Sequence, residues 1–309
     1  VVNKKVHALP SCRKVILSLS LQLVFTMQIT EHIAPLKSAI RSLKNRGNSI
    51  GLVPTMGALH EGHLSLIRQS IAETGVTVVS IFVNPTQFHD KKDLEKYPKN
   101  IKEDLDILQR LLGKDDLVFT PDVPEIYPEE DTRVFDFGHL DKIMEGILRK
   151  GHFNGVAQVV SKLFDIVTPD KAYFGEKDYQ QLAIINLLVK QQNYPVEIVP
   201  CPIVREADGL AMSSRNQRLS TRERKEAAVI CQTLSQAIHK AKHLGVDEVK
   251  RWVIDTLNDC KLLQVEYFEI VDGSQLKPVK SWSEKGKKIG CIAVCAGKIR
   301  LIDNITFQE

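Results

Sequence analysis

His60 and His63 stand three residues apart in the stretch PTMGALHEGH, residues 54–63, directly after the apolar run Ile50, Gly51, Leu52 and Val53. Imidazoles and glycines at a strand-to-helix junction suit an anion. Gly57 and Gly62 would let a ligand approach the backbone, and a helix beginning at His63 would offer free N–H groups and a favourable dipole. Phosphate is the natural guest, because imidazoles can donate hydrogen bonds to oxygens whose charge shifts during displacement at phosphorus. On these residues alone the plainer alternative, two structural or exposed histidines, stays open. A metal site is disfavoured, since paired histidines on one helical face usually take the i, i+4 spacing of H-E-x-x-H. The chain also lacks G-x-x-x-x-G-K-[ST], which excludes a Walker-type ATPase.

Three further polar clusters carry compatible chemistry. In GEKDYQQL, Lys177 supplies a point charge for phosphate, Asp178 an acceptor for ribose hydroxyls, and Gly175 room for close approach. Gln181, one helical turn on, aims an amide into the same cleft. In VNPTQF, Asn84 and Gln87 end an apolar strand and offer uncharged donors to a hydroxyl or carboxylate; a polar turn forced by Pro85 is the alternative. In MSSRN, Ser213, Ser214 and Arg215 form a compact donor set for a phosphate chain.

The elements that must position these residues follow from periodicity. Ile33, Leu36, Ile40 and Leu43 mark a helix that stops at Gly47, and SIGLVP reads as a strand. Leu64, Ile67 and Ile71 mark a second helix ending at Gly75, and the β-branched run VTVVSIFV a buried strand. Ile101, Leu105, Leu108 and Leu112 give a helix before Gly113, followed by the short strand LVF. GVAQVVSKLFDIV leads through TPDKAYF into a helix over residues 178–192, and VEIVPC closes the series. Strands separated by such helices imply right-handed crossovers and a doubly wound parallel sheet, an α/β fold of Rossmann-like type. Ligands bind outside the carboxyl ends of such strands, where all four clusters fall. After residue 202 the pattern changes: a helix over residues 220–244, another in VDEVKRWVIDTLND, the strand VEYFEIV, and a hairpin in IGCIAVCAGKIRLIDN turning at Ala296 and Gly297. The expected organisation is a domain over residues 27–202 and a smaller α+β domain over residues 203–309.

Composition narrows the function. The net charge of +4 resides in residues 1–26, and from Met27 onward 38 basic residues face 38 acidic ones. A neutral body offers no footprint for nucleic acid. The basic leader, with VILSLSLQLVF, imitates a secretory signal, but the apolar run is short, no A-x-A site follows, and it is too short to span a bilayer. MQITEHIAPLKSAI begins a fresh helical pattern at Met27, so residues 1–26 read as a dispensable extension. Beyond them Cys201, Cys231, Cys260, Cys291 and Cys295 are odd in number and form no C-x-x-C pair, which agrees with a reducing, cytoplasmic compartment.

Taken together, PTMGALHEGH, IFVNPTQF, DLEKYP, GHFNGV, FGEKDYQQ and VREADGLAMSSRN resemble the pantothenate synthetase family in order and spacing, from Met27 to the C-terminus. The resemblance implies an ATP-dependent ligase that joins pantoate to β-alanine on a Rossmann-like nucleotidyltransferase domain. Its HIGH-type signature would be H-E-G-H, and a smaller C-terminal domain would cover the site and bring MSSR as the counterpart of a KMSKS loop. It implies an ATP site of Met56, Gly57, Ala58, Leu59, His60, Glu61, Gly62, His63, Gly175, Glu176, Lys177, Asp178, Val204, Met212, Ser213, Ser214 and Arg215. His63 would be the proton donor, with His60, Lys177 and Arg215 beside it in catalysis. Gln87 would hold pantoate next to β-alanine, and Gln181 would be the second pantoate ligand. The family works with Mg2+ and is expected to be homodimeric. Glu103 and Asp104 read as an acidic pair solvated on an exposed helix, so metal ligands stay unassigned.

A carboxylate does not react with an amine at neutral pH, so pantoate would first displace pyrophosphate from ATP, and β-alanine would attack the resulting acyl adenylate. Such transfer needs positioning and charge stabilisation more than a protein nucleophile. Two other readings compete. A nucleotidyltransferase acting on a phosphorylated substrate would want cations where this chain has Gln87 and Gln181. A non-catalytic nucleotide-binding module could dispense with His60 and His63.

Overall fold

A computed structural model describes residues 27–88 and 91–308; the leader lies outside them. Six parallel strands form the larger sheet: β1 (Gln28–Thr30), β2 (Ile50–Thr55), β3 (Val76–Ile81), β4 (Leu117–Phe119), β5 (Lys171–Gly175) and β6 (Glu197–Cys201). Between them run α1 (Ile33–Asn45), α2 (Glu61–Glu73), α3 (Lys91–Glu95), α4 (Ile101–Gln109), α5 (Val123–Ile126), α6 (Glu145–Leu148), α7 (His152–Val167) and α8 (Tyr179–Gln192).

Every residue of β3 is buried, as a strand covered on both faces requires. Alternate side chains part to opposite faces. Leu52 and Val78 pack with Leu36, Phe164 and Ile185 of α1, α7 and α8, whereas Val53 and Val79 pack with Ile67 of α2 and Leu108 of α4.

The strand order is β1-β4-β3-β2-β5-β6. From β2 the chain winds outward through β3 and β4, then returns to lay β5 on the other side of β2. The switch point therefore lies between β2 and β5, and the loops that leave their carboxyl ends face each other.

The C-terminal part holds α9 (Thr221–Lys240), α10 (Val246–Asn258) and an antiparallel sheet of β7 (Leu263–Asp272), β8 (Lys288–Ala296) and β9 (Ile299–Gln308) in sequence order. A capping box of Ser220 and Glu223 starts α9. Ile230, Leu234, Val249 and Val253 from the two helices pack on Phe268, Ile292 and Leu301 of the sheet.

The doubly wound sheet and the smaller α+β unit agree with the expectation from sequence. Four local features differ. The helical pattern expected from Met27 gives way to the edge strand β1, paired with β4 from Gln28 to Leu117, and α1 starts only at Ile33. Ile71 lies on the open side of α2 at 38% exposure, and the buried stripe runs through Ile67 and Ser70 instead. The long helix α9 ends at Lys240 rather than at residue 244. The β8–β9 hairpin pairs Ala296 with Ile299, so Gly297, at φ +57°, and Lys298 form its turn.

Candidate active site

After β2, Gly57 and Ala58 take left-handed φ values of 77° and 50° and fold the chain back over the sheet. Beneath them stands Asp104 of α4, 2% exposed. Its carboxylate accepts the N–H of Ala58 at 2.9 Å and of Leu59 at 2.7 Å. A Cβ at Gly57 would come within 2.8 Å of that carboxylate, so this glycine serves the turn and the close approach of Asp104. Burial pushes the Asp104 carboxyl up, against the pull of the two N–H groups. The expectation of a solvated Glu103–Asp104 pair thus holds for Glu103 alone, which is exposed and accepts from Asn100 at 2.7 Å. Asp104 shares the buried face of α4 with Leu108 four residues on, and the backbone donors of the loop meet it there.

α2 begins at Glu61, so His60 is its N-cap and His63 its third residue, two residues ahead of the expected start. His60 Nδ1 accepts the Gly62 N–H at 3.1 Å, and His63 Nδ1 accepts the His60 N–H at 3.3 Å. An accepting Nδ1 carries no proton, so the hydrogen-bond network assigns both neutral rings the Nε2–H tautomer. Their centroids lie 4.1 Å apart. Burial, with Lys177 nearby, lowers His60 to about 4. Burial, then His60 and Lys177, lowers His63 to about 3. Both rings are therefore neutral donors near pH 7. Gly62, expected to let a ligand approach the backbone, has its N–H occupied by the His60 ring, and a Cβ there would strike that ring at 2.8 Å.

β3 leads into a short turn, Pro85–Gln87. Asn84, 1% exposed, is saturated: its Nδ2 donates to Gln87 Oε1 at 3.1 Å and to Gly155 O at 3.0 Å, while its Oδ1 accepts from Tyr127 at 2.9 Å and from Thr86. The residue expected to bind substrate is thus an orienting residue for Gln87. With its Oε1 engaged, Gln87 presents Nε2, which sits 3.0 Å from Met56 Sδ. α7 packs directly on this turn; a Cβ at Gly155 would meet Thr86 O at 2.4 Å. From the same helix His152 donates Nδ1–H to Gln87 O at 2.8 Å and accepts from Arg149 at 3.0 Å. Burial, with Arg149 beside it, lowers His152 to about 4.

β5 ends in the turn Glu176–Asp178, and α8 follows with Gln181 in its first turn. Lys177 makes no ion pair among the described residues. Residues 204–215 close the ring: Met212 N donates to Val204 O at 3.0 Å, and the buried Ser214 hydroxyl donates to Ala58 O at 3.0 Å. Arg215 donates to Asp93 at 2.8 Å, and Arg218 reaches the same carboxylate at 3.1 Å.

These groups surround a cavity of about 240 Å³ at the β2–β5 switch point. Met56, His60, Gly62, His63, Asn84, Gln87, Gly175, Lys177, Asp178, Gln181, Val204, Met212, Ser213, Ser214 and Arg215 line it. Gly57, Ala58, Leu59, Glu61 and Glu176 do not: the first three form the turn over Asp104, Glu61 pairs with Arg68 at 2.8 Å, and Glu176 lies 3.8 Å from Lys287. Sequence reasoning missed Asp104, Asp93 and the Arg149–His152 pair. DLEKYP and GHFNGV contain Asp93 and His152, but nothing local marks an acid as a partner for a distant loop or arginine. Among the described residues no cluster of three or more His, Cys, Asp or Glu could hold a metal, and Asp178 is the carboxylate that lines the cavity.

Comparison with known proteins agrees with this geometry. The family model for pantoate-beta-alanine ligase matches residues 28–306. Pantothenate synthetase of Bacteroides thetaiotaomicron is 53% identical over 283 residues, 92% of this chain and the full length of that relative. The Porphyromonas gingivalis enzyme of the same name is 52% identical over the same shares. Among solved structures, pantothenate synthetase from Thermus thermophilus superposes with a TM-score of 0.85 at 39% identity, over 92% of this chain and all of that one. Pantoate-beta-alanine ligase from Francisella tularensis, complexed with beta-gamma ATP and beta-alanine, gives 0.77 at 35% identity, over 92% and 98%. The chain belongs to the pantoate-beta-alanine ligase family, whose relatives above bear the name pantothenate synthetase.

Proposed function

We propose that the cavity condenses pantoate with β-alanine at the expense of ATP, through an enzyme-bound pantoyl adenylate, releasing pantothenate, AMP and pyrophosphate. The observation that carries this reading is the convergence of His60, His63, Lys177 and Ser213 with the neutral amides Gln87 and Gln181 in one cavity. Cations and Nε2–H donors suit a triphosphate. Uncharged amides suit pantoate, because they bind its hydroxyls and carboxylate without an ion pair that would blunt the attacking oxygen. Phe82, Val156 and Val160 supply an apolar wall for its two methyl groups.

In the first step a pantoate carboxylate oxygen bonds to the α-phosphorus while the bond to the bridging oxygen of pyrophosphate breaks. His63 and His60 donate to the phosphate oxygens, His63 as the residue nearest the reacting charge, and Lys177 and Arg215 balance the departing pyrophosphate. In the second step the β-alanine nitrogen, held beside Gln87, bonds to the acyl carbon, loses a proton and expels AMP. The ATP site would include Met56, Gly62, Gly175, Asp178, Val204, Met212, Ser213 and Ser214, with Gly57, Ala58, Leu59, Glu61 and Glu176 shaping its loops.

Mg2+ would arrive on the nucleotide, since this ion keeps mostly phosphate and water ligands; Asp178 fits as its carboxylate, and the ion would neutralise phosphate charge. Residues 203–309 would act as a lid that shields the adenylate from water. A homodimer and a cytoplasmic location complete the proposal, the first supported by the family, the second by the unpaired Cys201 and Cys291. Among the described residues no helix is long and apolar enough to cross a membrane.

The deciding experiment is an assay of AMP release with each substrate omitted in turn. Release that needs both pantoate and β-alanine is expected. Pyrophosphate release without free AMP, with a phosphorylated acceptor in place of pantoate, would favour another nucleotidyltransferase, and ATP binding without turnover a binding module.

A further inference from the structure

The turn that carries Lys177 is held by the small C-terminal sheet. Asn304 of β9 is 6% exposed, and its Nδ2 lies 2.8 Å from Glu176 O and 3.0 Å from Lys177 O. An amide nitrogen has two hydrogens, one for each carbonyl. Its neighbour Asp303, 4% exposed, accepts the Asn304 backbone N–H at 2.8 Å and receives Arg205 on both oxygens, at 2.7 and 3.0 Å. Arg205 also donates to Gly209 O at 3.1 Å, inside the loop that ends in residues 212–215. Two adjacent side chains of β9 thus grip both loops that meet over the cavity from the β5 side.

We propose that Asn304 is a positioning residue for adenylation, fixing the Glu176–Asp178 turn so that Lys177 faces the departing pyrophosphate. The assignment rests on the reading of Lys177 as a phosphate ligand. Its physical basis is that a lysine with no ion pair among the described residues, on a three-residue turn, is aimed only as well as the backbone beneath it, and the Glu176 and Lys177 carbonyls of that backbone are held by one buried amide. Small displacements of a positioned charge cost much in rate, because the charge acts on the transition state through a dry site. Through Asn304 the placement of the C-terminal sheet becomes a condition for the chemistry at β5.

The test is a double-mutant cycle on pantoate-dependent exchange of labelled pyrophosphate into ATP, with Asn304→Ala, Lys177→Ala and both together. Asn304→Ala alone should lower kcat for exchange by about 10-fold, the equivalent of roughly one to two net hydrogen bonds. In the Lys177→Ala background the same change should cost no more than about 2-fold, because residues that act through one another are not additive. Asn304→Asp, which sets an acceptor against two carbonyls, should be worse than Asn304→Ala. Amide formation from preformed pantoyl adenylate should stay within about 3-fold of the parent, since that step has no departing pyrophosphate. If Asn304→Ala does not fold, Asn304→Ser, which keeps one donor, goes through the same cycle. Losses that multiply in the double variant, or an equal loss in both half-reactions, would overturn the role of Asn304. Normal exchange in Lys177→Ala would instead remove Lys177 from the site, and the inference with it.

Discussion

Arg215 Nη2 lies 2.8 Å from Asp93 Oδ2, and Arg218 Nη1 lies 3.1 Å from Asp93 Oδ1, so one carboxylate of α3 holds two guanidiniums, that of the cavity-lining Arg215 among them. Arg215 also sits 5.8 Å from the ring centroid of Tyr97. Burial pushes the Asp93 carboxyl up, but the two arginines outweigh it and hold it below the usual range.

A triphosphate would have to take Arg215 from Asp93. Asp93→Asn removes that competitor, and ATP should bind about 3- to 5-fold more tightly, the scale of a partly exposed ion pair. Calorimetric titration with ATP measures it. Weaker binding would show that Asp93 shapes the site instead of competing for its cation.

His63→Ala should separate the two half-reactions. Losing a donor to developing charge predicts a fall of roughly 100-fold in pantoate-dependent pyrophosphate exchange. Attack of β-alanine on preformed pantoyl adenylate should fall much less. A folded variant with normal exchange would leave Lys177 and Arg215 to carry the step.

Asp104→Asn tests the anchor under the Ala58–Leu59 turn. The amide keeps one acceptor but turns its NH2 toward a backbone N–H, leaving a buried donor unmet at a cost of about 1–3 kcal/mol. Thermal unfolding should register the loss and exchange should weaken, while the Mg2+ concentration for half-maximal activity stays unchanged. A shifted Mg2+ requirement would mean that Asp104 touches the ion.

Buried His152 and half-buried His60 and His63 predict an acid limb in stability. His60, His63 and His152 are held near 4, 3 and 4, whereas an unfolded chain titrates them near 6.5. The unfolded state therefore binds more protons between about pH 4 and 6.5, and stability is full above that window and lost as pH falls through it. Asp104 and Asp116, raised by burial, act in the opposite sense, from the ordinary carboxylate range upward and so at the acid end of the same window. Tm should be about 5 °C or more lower at pH 5 than at pH 7.5, and His152→Gln should flatten the slope. An equal slope in His152→Gln would assign the loss to other groups.

The sequence by itself determined the alternation of helices and strands, the burial of β3 and the four polar clusters at strand ends. Each is written in local terms: a period of 3.6 or an unbroken β-branched run states which side is buried, and glycine with His, Lys or Arg states what a loop can hold. It could not reveal β1, whose three residues are a strand only because Leu117 to Phe119 lie alongside. Nor could it reveal that Asp104 reaches Ala58 across 46 residues, or that Asn304 reaches Lys177 across 127. The tautomers of His60 and His63 and the pairing of Arg215 with Asp93 were likewise decided in three dimensions. A charged or amide side chain looks the same in sequence whether it faces water or a buried backbone, and the choice is made by which donors the completed fold brings within 3 Å of it.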